Sequence, residues 1–335
     1  MKLLTTLAAT ALSFTFTSAS VIRRGHDAPV FDQDFADPSV IEDDDGTWYA
    51  FGTTGNGKQI QVAKGKCLYG KWSLLGNIDA LPKPAAWMTG RNTWAPDVHK
   101  VADGSYVMYF SGEVAANSAH HCIGTATSDT ITGPFMPDEE PFACNLTIGG
   151  SIDASGFQDV DGKRYVLYKI DGNSVGHGGS CSNTVQPIVS TPIMLQEVGD
   201  DGVTKIGDPV QILDRTDADG PLVEAPSVVR TDDGMYILFF SSGCYLEPSY
   251  NVNYATSMSL QGPYQRAERP MIKTGEHSLQ APGGATAVNV RDKVGIVFHA
   301  NCPEGRCLYT EPTVIDGQEV KVVMSSKGKT AEVCK

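Results

Sequence analysis

Asp37, Asp153 and Glu224 lie far apart in the chain, yet each stands just ahead of a matched Pro or Ser: Asp37 one residue before Pro38, Asp153 two before Ser155, and Glu224 two before Pro226. Trp94 holds the same place ahead of Pro96. If these segments open equivalent units around one axis, the three acids face a common hollow. Crowded into a partly desolvated hollow, they cannot all keep the acidity of a free carboxylate, because like charges and lost hydration raise at least one pKa. A protonated carboxyl facing an ionised one can protonate a leaving oxygen while water is activated on the opposite face of a sugar ring. That is the chemistry of inverting glycoside hydrolysis. An acid near a strand start is also an ordinary turn cap. Asp97 illustrates this, since it aligns with Ser39 and Ser227 rather than with the other acids, and it takes a structural role.

The elements that would position these residues are legible as a repeat. A β-branched run, an Asp-Gly turn and an aromatic strand recur around Asp45-Gly46, Asp103-Gly104, Asp161-Gly162 and Asp233-Gly234, with a degenerate fifth copy around Asp292-Lys293. The four glycines are 58, 58 and 72 residues apart. A period near 60 residues, repeated five times, is what a radial array of small antiparallel sheets requires. The expected fold is therefore all-β, a five-bladed β-propeller with a central active-site pocket. A second element recurs at Ala63, Ala126 and Ala255, each seven residues before Gly70, Gly133 or Gly262, with an aromatic two residues later at Trp72, Phe135 and Tyr264. It reads as an outer strand and its closing turn. The Gly-rich insertion from Asp171 to Asn183 lengthens the gap before the fourth copy, and reads as a loop tethered through Cys181 or a loop that carries binding.

A chain of 335 residues with this even repeat reads as a single domain over residues 21–335. Residues 1–20, with Lys2, an apolar run from Leu3 to Phe16 and the small residues Ser18-Ala19-Ser20, have the layout of a secretory signal peptide. Arg23-Arg24 follows as a dibasic processing site or an exposed basic pair. Eight cysteines in an exported chain point to disulfides, and Cys302 with Cys307 can close a short loop. Asn145-Leu146-Thr147 is a glycosylation sequon on an expected surface loop. The formal net charge of -13, with no long basic run, disfavours nucleic acid and anionic membranes as partners. A secreted monomer facing a neutral polymer is the expectation.

The segments Ala36-Asp37-Pro38-Ser39-Val40, Trp94-Ala95-Pro96-Asp97-Val98, Ser151-Ile152-Asp153-Ala154 and Val223-Glu224-Ala225-Pro226-Ser227 closely resemble the blade-start motifs of glycoside hydrolase family 43. The resemblance spans about residues 30 to 315. It implies an inverting hydrolase of plant cell-wall polysaccharide in which Asp37 is the general base, Glu224 the general acid, and Asp153 the carboxylate that orients the acid and tunes its pKa. The leading reading is release of α-L-arabinofuranosyl units from arabinan or arabinoxylan. β-Xylosidase and endo-1,5-α-L-arabinanase share the mechanism, and a non-catalytic carbohydrate-binding propeller is the reading from a different class. The resemblance implies no required cofactor. In some relatives a tunnel histidine contacts a calcium or sodium ion through water, and Phe298-His299-Ala300 resembles that segment, although a lone histidine after an apolar strand is more often a hydrogen-bonded core residue. Pro282-Gly283-Gly284-Ala285 departs from an arabinanase pattern in which a histidine is often found, which weighs against both the ion and internal cleavage.

Trp94, with Arg91 and Asn92 beside it, suits a subsite wall, because an indole face packs on a sugar ring while the two polar side chains bond hydroxyls. Phe157 joins them as a substrate-contact candidate. Trp87 fits sugar contact or packing equally, and His120 and His121 read as loop residues.

Overall fold

Each Asp-Gly pair reverses the chain. Gly46, Gly104, Gly162 and Gly234 have φ of 81, 90, 88 and 90°, the left-handed conformation that a residue without Cβ adopts freely. The aromatic and β-branched runs on either side therefore pair as antiparallel strands. The computed structural model describes residues 28–291 and 293–323. The leader expected over residues 1–20, Arg23-Arg24, Asp292 of the fifth turn and Cys334 lie outside the described residues.

Five sheets follow one another in chain order. Blade one is β1 (Ser39–Glu42), β2 (Trp48–Gly52), β3 (Gln61–Gly65) and β4 (Trp72–Leu74). Blade two is β5 (Trp94–Lys100), β6 (Tyr106–Glu113), β7 (His121–Ser128) and β8 (Met136–Pro137). Blade three is β9 (Ser151–Gln158), β10 (Arg164–Ile170), β11 (Ile193–Val198) and β12 (Lys205–Leu213). Blade four is β13 (Val223–Arg230), β14 (Tyr236–Ser242), β15 (Asn251–Ser257) and β16 (Gln265–Arg266), with β17 (Ile272–Lys273) also pairing β15. Blade five is β18 (Gly283–Val290), β19 (Lys293–Cys302), β20 (Gly305–Asp316) and β21 (Glu319–Val322). Neighbouring strands pair in sequence order, so the chain forms an all-β five-bladed propeller.

No single core holds this ring together. Each junction between blades has its own apolar cluster: Phe51 with Met108 and Phe110, Tyr109 with Val166, Leu167 with Leu238, Phe239 with Phe298, and Trp48 with Val297. At the last junction the N-terminal segment closes the ring. Val30 donates its N–H to the Leu308 carbonyl and accepts from Trp72 N–H, while Phe35 N–H donates to the Arg306 carbonyl. Blades one and five are thereby joined through the start of the chain. Disulfides link Cys122 to Cys144, Cys181 to Cys244, and Cys302 to Cys307.

The inner strands enter the axis through one repeated device. Asp37, Ala95, Asp153, Ala225 and Gly284 all have left-handed backbones, with φ of 50, 42, 58, 50 and 57°. A break in ladder register accompanies each of the last four. Alignment on this kink corrects the third repeat: Ala154, not Ser155, is the counterpart of Pro38, and Ser155 falls with Ser39, Asp97 and Ser227. The slip comes from matching Pro38 with the nearest Ser, because the break in register is the same in blades two to five.

A kinked residue cannot give its N–H to its own ladder, and the preceding blade supplies the acceptor. Thr53 Oγ1 accepts from Ala95 at 3.0 Å, Ser111 Oγ from Asp153 at 2.9 Å, Ser241 Oγ from Gly284 at 2.9 Å, and His299 Nδ1 from Asp37 at 3.1 Å. All four acceptors are buried. One tier lower, Ser227 Oγ accepts from Ala287 N–H, and Asp97 Oδ2 accepts from Gly156 N–H while lying 2.7 Å from His99 Nε2. Asp97 thus serves the scaffold, as its alignment with serines indicates.

Removing one acceptor strands a buried donor. Ser241→Ala is expected to lower unfolding stability by about 1–3 kcal/mol, read from urea denaturation midpoints at constant slope. An unchanged midpoint would show that Gly284 N–H does not depend on that hydroxyl.

Candidate active site

The kinked residue of each blade lines the axis, and in blades one and three it is an aspartate. Asp37 and Asp153 line one axial cavity with Ala95, Pro96, Ala225, Pro226 and Gly284. Glu224 precedes the kinked Ala225, whose N–H donates to Asp153 Oδ2 at 3.0 Å. Three residues dispersed in sequence therefore meet at one end of the axis. All the Asp-Gly turns lie at the far ends of the inner strands.

The two halves of this site have different electrostatic settings. Around Asp37, Thr53 Oγ1 donates to Oδ2 at 2.6 Å and the Arg306 guanidinium lies 3.5 Å from Oδ1. Burial disfavours charge on Asp37, but Arg306, then His299 and the Thr53 hydroxyl, outweigh it and hold the carboxyl below its ordinary range. His299 itself is pushed down to about 3 by burial and by Arg306. It is therefore neutral over the working range. With its Nδ1 lone pair directed at Asp37 N–H, its 3.3 Å approach to Asp37 Oδ1 is not an ion pair, and Arg306 is the effective counter-charge.

Across the axis, Glu224 Oε1 accepts from Tyr250 O–H at 2.8 Å and Oε2 lies 2.9 Å from Lys169 Nζ. Lys169 is fully buried and also pairs with Asp171 at 3.0 Å. Burial works against its charge, but Glu224, Asp171 and Asp153 together raise its pKa, so it stays cationic. Asp153 is pushed well above the carboxylate range, by burial first and by the Glu224 charge second. The ionised form is thus favoured at Asp37 and disfavoured at Asp153 across the axis.

Tyr250 explains the Gly283-Gly284 pair. A Cβ on Gly283 would overlap the Tyr250 ring, and one on Gly284 would lie 2.6 Å from His299 Nδ1 and 2.8 Å from Asp37 Oδ1. Tyr250 stacks on His299 with ring centroids 5.9 Å apart. The aromatic and the imidazole occupy the space that side chains at these positions would need.

At the rim, Trp94 is half-buried and stacks on His121, centroids 3.5 Å apart. His121 opens β7, which corrects its reading as a loop residue, while His120 lies in the loop before it, and both are buried. His121 Nε2 bonds the Asn92 carbonyl at 2.9 Å, and His120 Nδ1 lies 3.0 Å from Ser174 Oγ in the insertion. Asn92 donates its amide to the buried Glu113, while the Arg91 side chain remains 76% exposed, 3.8 Å from Glu113. Trp87 packs flat on Phe110 and belongs to the core between blades one and two. Phe157 lies toward the far end of β9, edge-on to Tyr236 between blades three and four, which corrects its reading as a sugar contact. The sequon residue Asn145 is exposed and caps a short 3-10 turn, Leu146–Ile148.

The residues do not fit an ion held directly by His299. Its Nδ1 is an acceptor for Asp37 N–H, so neutral imidazole carries its proton on Nε2, which can donate to water but cannot ligate a cation. Among the described residues no group of three His, Cys, Asp or Glu side chains converges as a metal requires. Lys169, Tyr250, Arg306 and Thr53 escaped the sequence reading. For Lys169 and Thr53 the signal was positional: Thr53, Ser111, Lys169, Ser241 and His299 stand at one place in the five repeats, each just after the aromatic run of the second strand.

The family model described as glycosyl hydrolases family 43 matches residues 26–321. The Aspergillus flavus protein named "Probable arabinan endo-1,5-alpha-L-arabinosidase C" is 29% identical over 269 residues, covering 79% of this chain and 75% of that protein. The Bacillus subtilis "Extracellular endo-alpha-(1->5)-L-arabinanase 2" is 26% identical, covering 79% of this chain and 56% of its own length. A crystal structure titled as a thermostable family-43 glycoside hydrolase superposes with a TM-score of 0.73 at 24% identity, covering 88% of this chain and 95% of that one. It shares the fold.

The charge on Asp37 depends on Arg306, and the sign of its loss follows. Without the guanidinium the carboxylate is harder to maintain, so Arg306→Met should move the acid limb of the kcat/KM profile upward by about one pH unit. An unmoved acid limb would show that Arg306 does not set the charge on Asp37.

Proposed function

Since this chain belongs to glycosyl hydrolases family 43, we propose that it is an inverting hydrolase of α-1,5-linked arabinan, with Asp37 as general base, Glu224 as general acid and Asp153 as the carboxylate that orients the acid. The observation that carries the mechanism is the split setting of the carboxylates, with Asp37 held ionised beside Arg306 and Asp153 carrying a raised pKa beside Glu224 and Lys169. Inversion requires that pairing: a base drawing a proton from water on one face and an acid protonating the leaving oxygen on the other. Trp94, half-buried at the rim, supplies an apolar face for a sugar ring, and Arg91 a free donor.

The choice of sugar rests on the relatives, whose names are those of arabinan endo-hydrolases. Their weight moves the first reading from terminal arabinofuranosyl release to internal cleavage. The Gly283-Gly284 segment is no obstacle, because its departure from a histidine is matched by the packing of Tyr250 and His299. The Cys122–Cys144, Cys181–Cys244 and Cys302–Cys307 bridges and the extracellular Bacillus relative support work outside the cell on plant cell-wall polymer.

On linear arabinan, internal cleavage should yield a ladder of short oligosaccharides from the first minutes, whereas arabinose alone would favour the α-L-arabinofuranosidase reading. Proton NMR of the nascent anomers should show inverted configuration, and initial retention would remove the mechanism. Asp37→Ala should lower kcat by about 10²–10⁴-fold on polymer and nitrophenyl glycoside alike. Glu224→Ala should lose as much on polymer but less on the nitrophenyl substrate, whose leaving group needs less protonation. Equal losses for both variants on both substrates would reverse the assignment.

A further inference from the structure

One blade breaks the rule that the other four obey. At the place just after the aromatic run of the second strand, blades one, two, four and five carry Thr53, Ser111, Ser241 and His299, each accepting the N–H of the next blade's kinked residue. Blade three carries Lys169, whose ammonium has no lone pair to offer. Its Nζ turns instead to Glu224 and Asp171. The N–H left over, that of Ala225, is taken by Asp153 Oδ2. A single substitution within a five-fold pattern thus has two effects. It brings a buried cation against Glu224, and it ties the Asp153 carboxylate to the backbone beside that same residue.

We propose that Lys169 is the positioning residue of the proton-donating half of the site, holding Glu224 by charge and Asp153 by the N–H it leaves free. The proposal rests on the assignment of Glu224 as general acid. When a proton passes to the leaving oxygen, a carboxylate is left in a buried setting, and a cation at 2.9 Å stabilises it there. A buried lysine is otherwise costly to keep, since taking an ammonium out of water is compensated only by good partners. The groups facing it are Glu224 and Asp171 in contact, Asp153 across the kink, and Tyr250 beyond Glu224, where it donates to Oε1. His121 lies near enough to Asp171 to feel its charge, and Asp37 acts on Asp153 from the opposite side.

The test compares wild type with Lys169→Met, which keeps length and loses charge, and Lys169→Ser, which restores the hydroxyl used in blades two and four and so has an acceptor for Ala225. Without the cation the Asp153–Glu224 pair keeps its proton to higher pH. The alkaline limb of kcat/KM on arabinan should therefore rise by about one pH unit, and kcat should fall about ten-fold or more with KM little changed. Nitrophenyl arabinofuranoside should lose less. A readout free of substrate is the titration of ¹³C-labelled carboxyl groups by NMR, in which the highest-titrating carboxyl should move up in both variants. Folded variants with the wild-type carboxyl titration and unshifted alkaline limb would overturn the proposal. If wild type releases nothing from arabinan or the aryl glycoside, the functional reading falls, and the carboxyl titration still decides whether Lys169 controls the pair.

Discussion

The constraint on which everything else depends is the backbone donor exposed where each inner strand kinks into the axis. A left-handed residue at a strand start lies out of register with its partner, and its N–H must be satisfied in a buried place. The ring solves this between blades rather than within them. Thr53, Ser111, Ser241 and His299 each reach across a junction, so the geometry of one blade start is set by its predecessor. Apolar clusters at the five junctions supply the bulk of the cohesion, but they do not fix the direction in which the axial side chains point.

That division explains how a repetitive scaffold holds an asymmetric site. The kinked positions are equivalent in backbone, and their side chains differ: aspartate in blades one and three, alanine in two and four, glycine in five. Asp tolerates the left-handed region better than most residues with a Cβ, so the chemistry adds little backbone cost. Arg306 comes from blade five and Lys169 from blade three, giving each side of the axis a cation that favours ionised carboxylates in a different degree of burial. Arg306 is partly exposed and favours an ionised carboxylate at Asp37. Lys169 is sealed among three acids, where burial and the Glu224 charge outweigh it and still raise the Asp153 pKa.

The sequence carried the repeat and therefore the fold, because Asp-Gly turns and aromatic strands are local signals with a fixed backbone meaning. It also carried Asp37, Asp153 and Glu224, since strand starts of a radial array converge regardless of spacing. Asp97 was separable from them by alignment with serines, and its bond to Gly156 N–H agrees. The one-residue slip in the third repeat came from the alanine that replaces proline there, which left the following serine as the nearest apparent match. Phe157 was misassigned because alternation along a strand says which face a residue takes, not how far from the axis it lies. Lys169 and Tyr250 were hidden for a different reason: a lysine after Tyr168 and a tyrosine in a loop look ordinary until their partners, many residues away, are known. His121 was hidden in the same way, its stacking on Trp94 bringing together the starts of β7 and β5.

The tight hairpins and the longer connections occupy opposite faces of the ring. The Asp-Gly reversals cluster on one side, whereas the insertion between β10 and β11 and the segments leading from one blade to the next gather on the side where the acids meet. Lengthening a surface connection costs only slowly growing closure entropy and disturbs no junction. Such a body can be retailored by editing one side alone, since the walls around the axial cavity and the seams between blades are built from different parts of the chain.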